Sequence, residues 1–174
     1  MAKEMADMPK YFPIFLDLTG RKIHIYGAGK IASRRAETLL PFSPCVTVHA
    51  PQASECILKA AQEGRLLLRR EPYEPGTIEQ DAFMVLAATD DSLVNGQICR
   101  ECHEKGILVN VCSDQTLCDF HFPGIASKGE LVIGINAGGK DHHLARKWTE
   151  KIRKEVEEDG YDHQAEKASH NGKS

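Results

Sequence analysis

The first two thirds of the chain alternate short apolar runs with longer amphipathic ones. Ile23 and Ile25 mark a strand that breaks at Gly27-Ala28-Gly29, and a helical pattern follows from Lys30 to Leu40. Pro41-Phe42-Ser43-Pro44 is a breaker-rich turn, and Cys45-Val46-Thr47-Val48-His49 reads as a second strand ending at Ala50-Pro51. Ser54 is placed to cap a helix that runs through Glu63 and stops at Gly64. Leu66 to Arg70 predicts a short strand, and Pro72 to Gly76 a loop. Phe83 to Ala88 is continuously apolar, as a strand covered on both faces of a parallel sheet must be. Thr89-Asp90-Asp91-Ser92 opens another helix, which carries Leu93, Ile98 and Cys102 and closes at Gly106. Ile107 to Val111 is one more buried strand.

Strands alternating with helices predict an α/β fold, a Rossmann-like doubly wound parallel sheet over residues 1–114. Right-handed crossovers bring the strand C-termini to one edge, where ligands lie in such folds. Beyond Ser113 the pattern changes. Phe120 to Ile125 and Glu130 to Asn136 predict two strands joined by Ala126-Ser127-Lys128-Gly129. Asp141 to Glu158 predicts a helix with Leu144, Trp148, Ile152 and Val156 on one stripe, a core or dimer face. A β-hairpin and one helix are too small to hold a core alone. The expectation is therefore a homodimer built on a 115–158 dimerisation segment, followed by a polar, disordered tail over 159–174.

Composition narrows the partners. With 174 residues, 27% of them charged and a net charge of −3, the chain has no basic footprint for nucleic acid and no polybasic block for a membrane surface. The N-terminus mixes charges into its apolar residues, and no run approaches the roughly 18 apolar residues of a spanning helix. The expected location is the cytoplasm, where the six cysteines stay as free thiols. Cys99-Arg100-Glu101-Cys102-His103 matches the haem-attachment spacing C-x-x-C-H, but it lies inside a helical pattern and no export signal accompanies it. A labile metal or redox role and a chance cluster are the other readings, and no metal ligand is assigned.

Gly27-Ala28-Gly29-Lys30-Ile31-Ala32 is G-x-G-x-x-A directly after a strand and opening a helix, the context of a dinucleotide fingerprint. Gly27 permits the tight turn, Gly29 lets backbone approach a pyrophosphate, and Ala32 lets helix and strand lie close. Two other segments reach the same edge: Ala87-Ala88-Thr89-Asp90-Asp91 and Asn110-Val111-Cys112-Ser113-Asp114. Thr89 and Asp90 read equally as helix caps. Asp114 reads either as a turn former or as a carboxylate that takes a proton beside a bound nicotinamide. The acid that binds ribose, expected roughly 20 residues on, is missing from His49-Ala50-Pro51-Gln52, which leaves NAD and NADP both open.

Together, YFPIFLDLTGRKIHIYGAGKIASRRAETLL, VTVHAP, LAATDD, VNVCSD and LCDFHFPGI resemble the precorrin-2 dehydrogenase / sirohydrochlorin ferrochelatase family over residues 11–155. The resemblance implies NAD-dependent oxidation of the tetrapyrrole precorrin-2 to sirohydrochlorin, on the route to siroheme. In some members it implies insertion of Fe²⁺ as well. It places the pyrophosphate at Gly27, Gly29, Lys30 and Ile31, adenosine near Pro51 and Gln52, and the nicotinamide near Thr89 and Asn110. The family's catalytic aspartate falls on Ser113, and the carboxylate here is Asp114, one residue later. Asp141-His142 stands where the family has Ser-Pro. His142 and His143 read as cap residues or as iron ligands, and the two departures point to weak or absent chelation. Arg34, Arg35, Lys140 and Arg146 are candidate cations for the substrate's carboxylates. The rival reading is a non-catalytic dinucleotide- or redox-sensing regulatory domain.

Overall fold

The computed structural model describes residues 10–139 and 141–158, so Lys140 and the tail from Asp159 lie outside the described residues. The chain divides into two compact units. Ile14–His121 form one, and the described residues before Ile14 and after His121 form the other.

The first unit is built on five strands: β1 (Lys22–Tyr26), β2 (Cys45–His49), β3 (Leu67–Arg69), β4 (Met84–Ala87) and β5 (Leu108–Val111). They lie in the order β3-β2-β1-β4-β5 and every pairing is parallel. This is the doubly wound sheet that the strand–helix alternation predicts. Helices α1 (Lys30–Leu39), α2 (Glu55–Gln62) and α3 (Ser92–Lys105) connect β1 to β2, β2 to β3 and β4 to β5, and an irregular segment joins β3 to β4. Strand order reverses at β1, so the crevice between the ends of β1 and β4 is the ligand position of such a sheet.

Side-chain period explains the layers. Tyr26, Val85, Ala87, Val109 and Val111 point to one face and pack with Ile98, Cys99 and Cys102 of α3. Ile23, Ile25, Val46 and Val48 are buried on the other. Helix α1 buries small residues, Ala32, Ser33 and Ala36, with Leu39, as a helix must to lie close to a sheet. The free edge of β5 is covered by the segment after it. Val111 N–H donates to Cys118 Sγ at 3.2 Å, Val109 N–H to Asp119 Oδ2 at 2.9 Å, and Asp119 N–H to the Val109 carbonyl at 3.0 Å.

In the second unit β6 (Gly124–Lys128) and β7 (Leu131–Ile135) pair antiparallel, and α4 (His142–Glu158) follows. The hairpin differs from the sequence expectation. Ala126, Ser127 and Lys128, expected as turn, belong to β6, and the turn is Gly129-Glu130 between the paired Lys128 and Leu131. Gly129 sits at φ +57°, the left-handed conformation that a two-residue hairpin turn demands. Phe120, expected in the strand, instead has its carbonyl bound by the Asn110 amide at 2.8 Å. Helix α4 lies on β6: Thr149 is buried against Gly124, and Arg153 Nε donates to the Ile125 carbonyl at 2.8 Å.

Candidate functional site

The turn between β1 and α1 is shaped by two glycines with different duties. Gly27 has φ +103°, and a Cβ there would run into the backbone of Ala88 and Thr89, so the turn lies directly against the end of β4. Its N–H extends the sheet by donating to the His49 carbonyl at 2.9 Å. Gly29 is the N-cap of α1, with ordinary backbone angles, and a Cβ on it would meet nothing within 4 Å. Open space therefore faces the helix start. No side chain caps α1 and no acid stands in its first turn, whereas Ser54 and Asp91 cap α2 and α3. Helix α1 thus presents a positive dipole end and N–H groups to whatever occupies that space. Lys30 and Ile31 are exposed beside it.

Serines tie this turn to the end of β2. Ser54 N–H donates to the Ala28 carbonyl at 3.1 Å, and Ser33 Oγ lies 2.7 Å from Ser54 Oγ and 3.0 Å from the Gly29 carbonyl. Pro51 and Gln52 stand exposed next to it. His49, one of the positions where a ribose-binding acid is missing, is turned into the sheet. It is buried, its Nε2 lies 3.0 Å from His24 Nδ1, and its ring stacks on Tyr26. Burial pushes both imidazoles below their ordinary pKa, and Glu71 beside His49 opposes that shift.

Thr89 and Ser113 meet through a residue that the sequence motifs do not contain. Asn95 of α3 is buried; its Oδ1 accepts from Thr89 N–H (3.1 Å) and Thr89 Oγ1 (2.8 Å), and its Nδ2 donates to the Thr89 carbonyl (3.1 Å) and Ser113 Oγ (3.2 Å). The signal for it was present: Asn95 shares a helical stripe with Ile98, Cys99 and Cys102, all buried, and a polar residue on such a stripe must find partners.

Asp114 is exposed and caps a short 3-10 turn, Gln115–Leu117, through Oδ1, which accepts from Thr116 Oγ1 at 2.7 Å and Thr116 N–H at 2.8 Å. Those bonds, the hydroxyl's first, hold its carboxyl below the ordinary value. The turn-forming reading of Asp114 is therefore real, and Oδ2 is the oxygen free of the Thr116 bonds. Asn110 is buried with its amide donated to Phe120 and Cys118, so its side chain holds the cover of β5.

Of the candidate cations, Arg34 is exposed and Arg35 is half-buried against Cys112. Arg146 lies in the second unit and is paired with Glu150 at 2.7 Å, and His143 is exposed there. Cys99 and Cys102 are buried on α3, with burial raising the Cys102 thiol to about 12, which makes it inert. Among the described residues no group of three or more His, Cys, Asp or Glu side chains is arranged to hold a metal ion.

A family model described as "Putative NAD(P)-binding" matches residues 14–124, which span the glycine turn, Thr89 and Ser113. The chain belongs to this NAD(P)-binding family. Siroheme synthase from Photorhabdus laumondii is 36% identical over 142 residues, 82% of this chain and 30% of that protein. A siroheme synthase from Psychrobacter sp. is 38% identical over 135 residues, 78% of this chain and 28% of its own length. The chain thus spans about 30% of the length of these curated relatives. Among solved structures, "SirC, precorrin-2 dehydrogenase" matches with a TM-score of 0.68 and 27% identity, over 83% of this chain and 71% of that one.

The geometry fits the cofactor of an NAD(P)-binding chain. The uncapped start of α1 and the open side of Gly29 leave room and free N–H groups that would fit a pyrophosphate, with no acid in the first turn to repel it. No helix among the described residues is long and apolar enough to cross a membrane.

Proposed function

We propose that this chain catalyses the NAD-dependent dehydrogenation of precorrin-2 to sirohydrochlorin. The observation that carries the reading is the likeness to SirC, precorrin-2 dehydrogenase, which extends over 83% of this chain at 27% identity. The siroheme synthase relatives support it, since their matched part belongs to proteins named for the same tetrapyrrole route. Bound NAD⁺ supplies the two-electron acceptor for oxidation of the ring.

Everything else falls to the protein's own residues. The N–H groups at Gly29, Lys30 and Ile31 hold the pyrophosphate, and exposed Pro51 and Gln52 border the adenosine. Thr89 and Ser113, joined through Asn95, form the rim on which the reacting ring is oriented. The oxidation releases one proton, and Asp114 Oδ2 receives it or relays it through water. Because Thr116 keeps that carboxyl acidic, Asp114 passes the proton on rather than retaining it. Positioning is the larger part of the work, since ring conjugation increases on the way to product.

The test is anaerobic incubation of the full chain with precorrin-2 and either NAD⁺ or NADP⁺, following reduced nucleotide and the product's absorbance together. Precorrin-2-dependent NADH formation is expected. NADH binding with no such formation would support the sensing domain instead and overturn the enzymatic reading. Fe²⁺ added to the accumulated product examines chelation. Little or no insertion is expected, because position 113 is a serine and Asp114 Oδ1 is already bound.

A further inference from the structure

Asn95 makes four hydrogen bonds, the full capacity of a primary amide, and all of them go to two turns at the sheet's C-terminal edge. Their directions are fixed by chemistry. The Thr89 N–H can only donate and the Thr89 carbonyl can only accept, so the oxygen and nitrogen of the Asn95 amide cannot exchange places. Nδ2 therefore donates to Ser113 Oγ across 3.2 Å, and Ser113 is the acceptor in that bond. One consequence follows for an exposed hydroxyl whose inner side is occupied by a donor: its own proton points away from Asn95. Thr89 is different, because its hydroxyl is turned inward onto Asn95 Oδ1 and the Asp91 carbonyl.

We propose that Asn95 is a positioning residue that sets the polarity of the Ser113 hydroxyl, so that Ser113 donates a hydrogen bond to an acceptor atom of the bound substrate. The substrate's identity rests on the function proposed above; the polarity does not. Asn95 also locks the Thr89 turn to the turn after β5, residues 18 positions apart in sequence for the Asn95–Ser113 bond. The rim enters the reaction already ordered, which lowers the entropic cost of orienting a large ring. Two bonds to Thr89 backbone groups would suffice for a purely structural amide. The bond to an exposed serine has no such need.

Asn95→Asp is the informative variant. It keeps an oxygen for the Thr89 N–H and hydroxyl but replaces Nδ2 by an oxygen, which gives up the bond to the Thr89 carbonyl and, toward Ser113, accepts the hydroxyl proton and turns it inward. Asn95→Asp and Ser113→Ala are each expected to lower kcat about tenfold, and the double variant no further. Ser113→Thr, which keeps a hydroxyl, is expected to recover most of the loss. Additive losses in the double variant, or wild-type kcat and KM in Ser113→Ala, would overturn the proposal.

A second readout needs no turnover and stands if Asn95→Asp fails to fold. The side-chain NH₂ resonances of Asn95, assigned by ¹⁵N NMR in the full chain, are expected to shift and exchange faster in Ser113→Ala than in Ser113→Thr. Unchanged resonances in Ser113→Ala mean no such bond exists, and the inference fails. If wild-type chain forms no NADH from precorrin-2 while these resonances respond as expected, the assigned substrate is wrong and the polarity stands.

Discussion

Asp114 and the His24–His49 pair show how one side chain's surroundings decide its use. Replacing Asp114 by Ala removes the proposed proton acceptor and the cap of Gln115–Leu117, both at the surface. It is expected to lower kcat about a hundredfold, the lower end of what a positioned acid–base group supplies. NADH affinity should hold within about twofold, because the proposed pyrophosphate site lies on another turn; steady-state kinetics with a binding titration checks both. The two histidines act on stability. In the native state each is buried and its charged form is disfavoured, chiefly by burial, while in the unfolded chain each titrates near 6.5. The unfolded state thus binds more protons as pH falls through that value, so stability present at neutral pH is lost from pH 6.5 downward. The tautomer that serves the shorter carboxylate contact has His49 Nδ1–H facing Glu71 at 3.3 Å and Nε2 accepting from His24 Nδ1–H, with His24 Nε2 facing Glu79 at 4.0 Å. Urea midpoints measured at successive pH values should fall below 6.5 in the wild type. His24→Gln should flatten that slope, whatever it does to the midpoint itself.

At the scale of elements, the start of α1 makes a discriminating prediction. Gly29→Asp puts a favourable cap and a carboxylate at a helix N-terminus with open space and ordinary angles. The melting temperature should hold or rise, because such caps contribute about 0.5–2 kcal/mol. NADH affinity should fall more than about tenfold, since the new carboxylate takes the same N–H groups and repels the phosphates. A variant that still binds NADH normally would remove this helix end from the site. In the second unit, Gly124→Ala should cost about 1–3 kcal/mol, because its Cβ would overlap the buried Thr149 hydroxyl and push α4 off β6. Thermal unfolding measures it. These elements were legible where periodicity and punctuation agreed: buried strands such as Met84–Ala87, the capped helices, and the glycine turn. In the hairpin the first strand starts four residues later than the pattern predicts, because Ala126-Ser127-Lys128 looks like a turn, and only Gly129's backbone conformation decides otherwise. Asn95 stands inside a helix, away from the loops that carry the motifs. Its partners come together only once β4, α3 and β5 are folded, and no linear spacing records that.

For the whole molecule, the second unit needs support beyond its own two strands and helix. A two-stranded sheet and one helix bury little apolar surface, and such assemblies are not stable in water without further packing. The unit also leaves Leu131, Leu144 and Trp148 exposed, Trp148 at 45%, on elements whose other faces pack against each other. Leu144 and Trp148 are one helical turn apart, so they form a single stripe rather than scattered surface residues. A second copy meeting the same stripe would cover it with a self-complementary surface, the commonest oligomeric solution. Light scattering should then give twice the 19.3 kDa chain mass at micromolar concentration. The chain has one tryptophan, which makes the contact observable directly. Its emission should be blue-shifted when the stripe is covered and should move to the red on dilution, at the concentration where the mass halves. Trp148→Glu places a charge in the contact and should yield a monomer. That monomer should still bind NADH through the Ile14–His121 unit, which carries the glycine turn and its own core. A wild-type chain that scatters as a monomer with dilution-independent emission would show that the stripe is ordinary surface. The second unit would then need its stability from within the same chain.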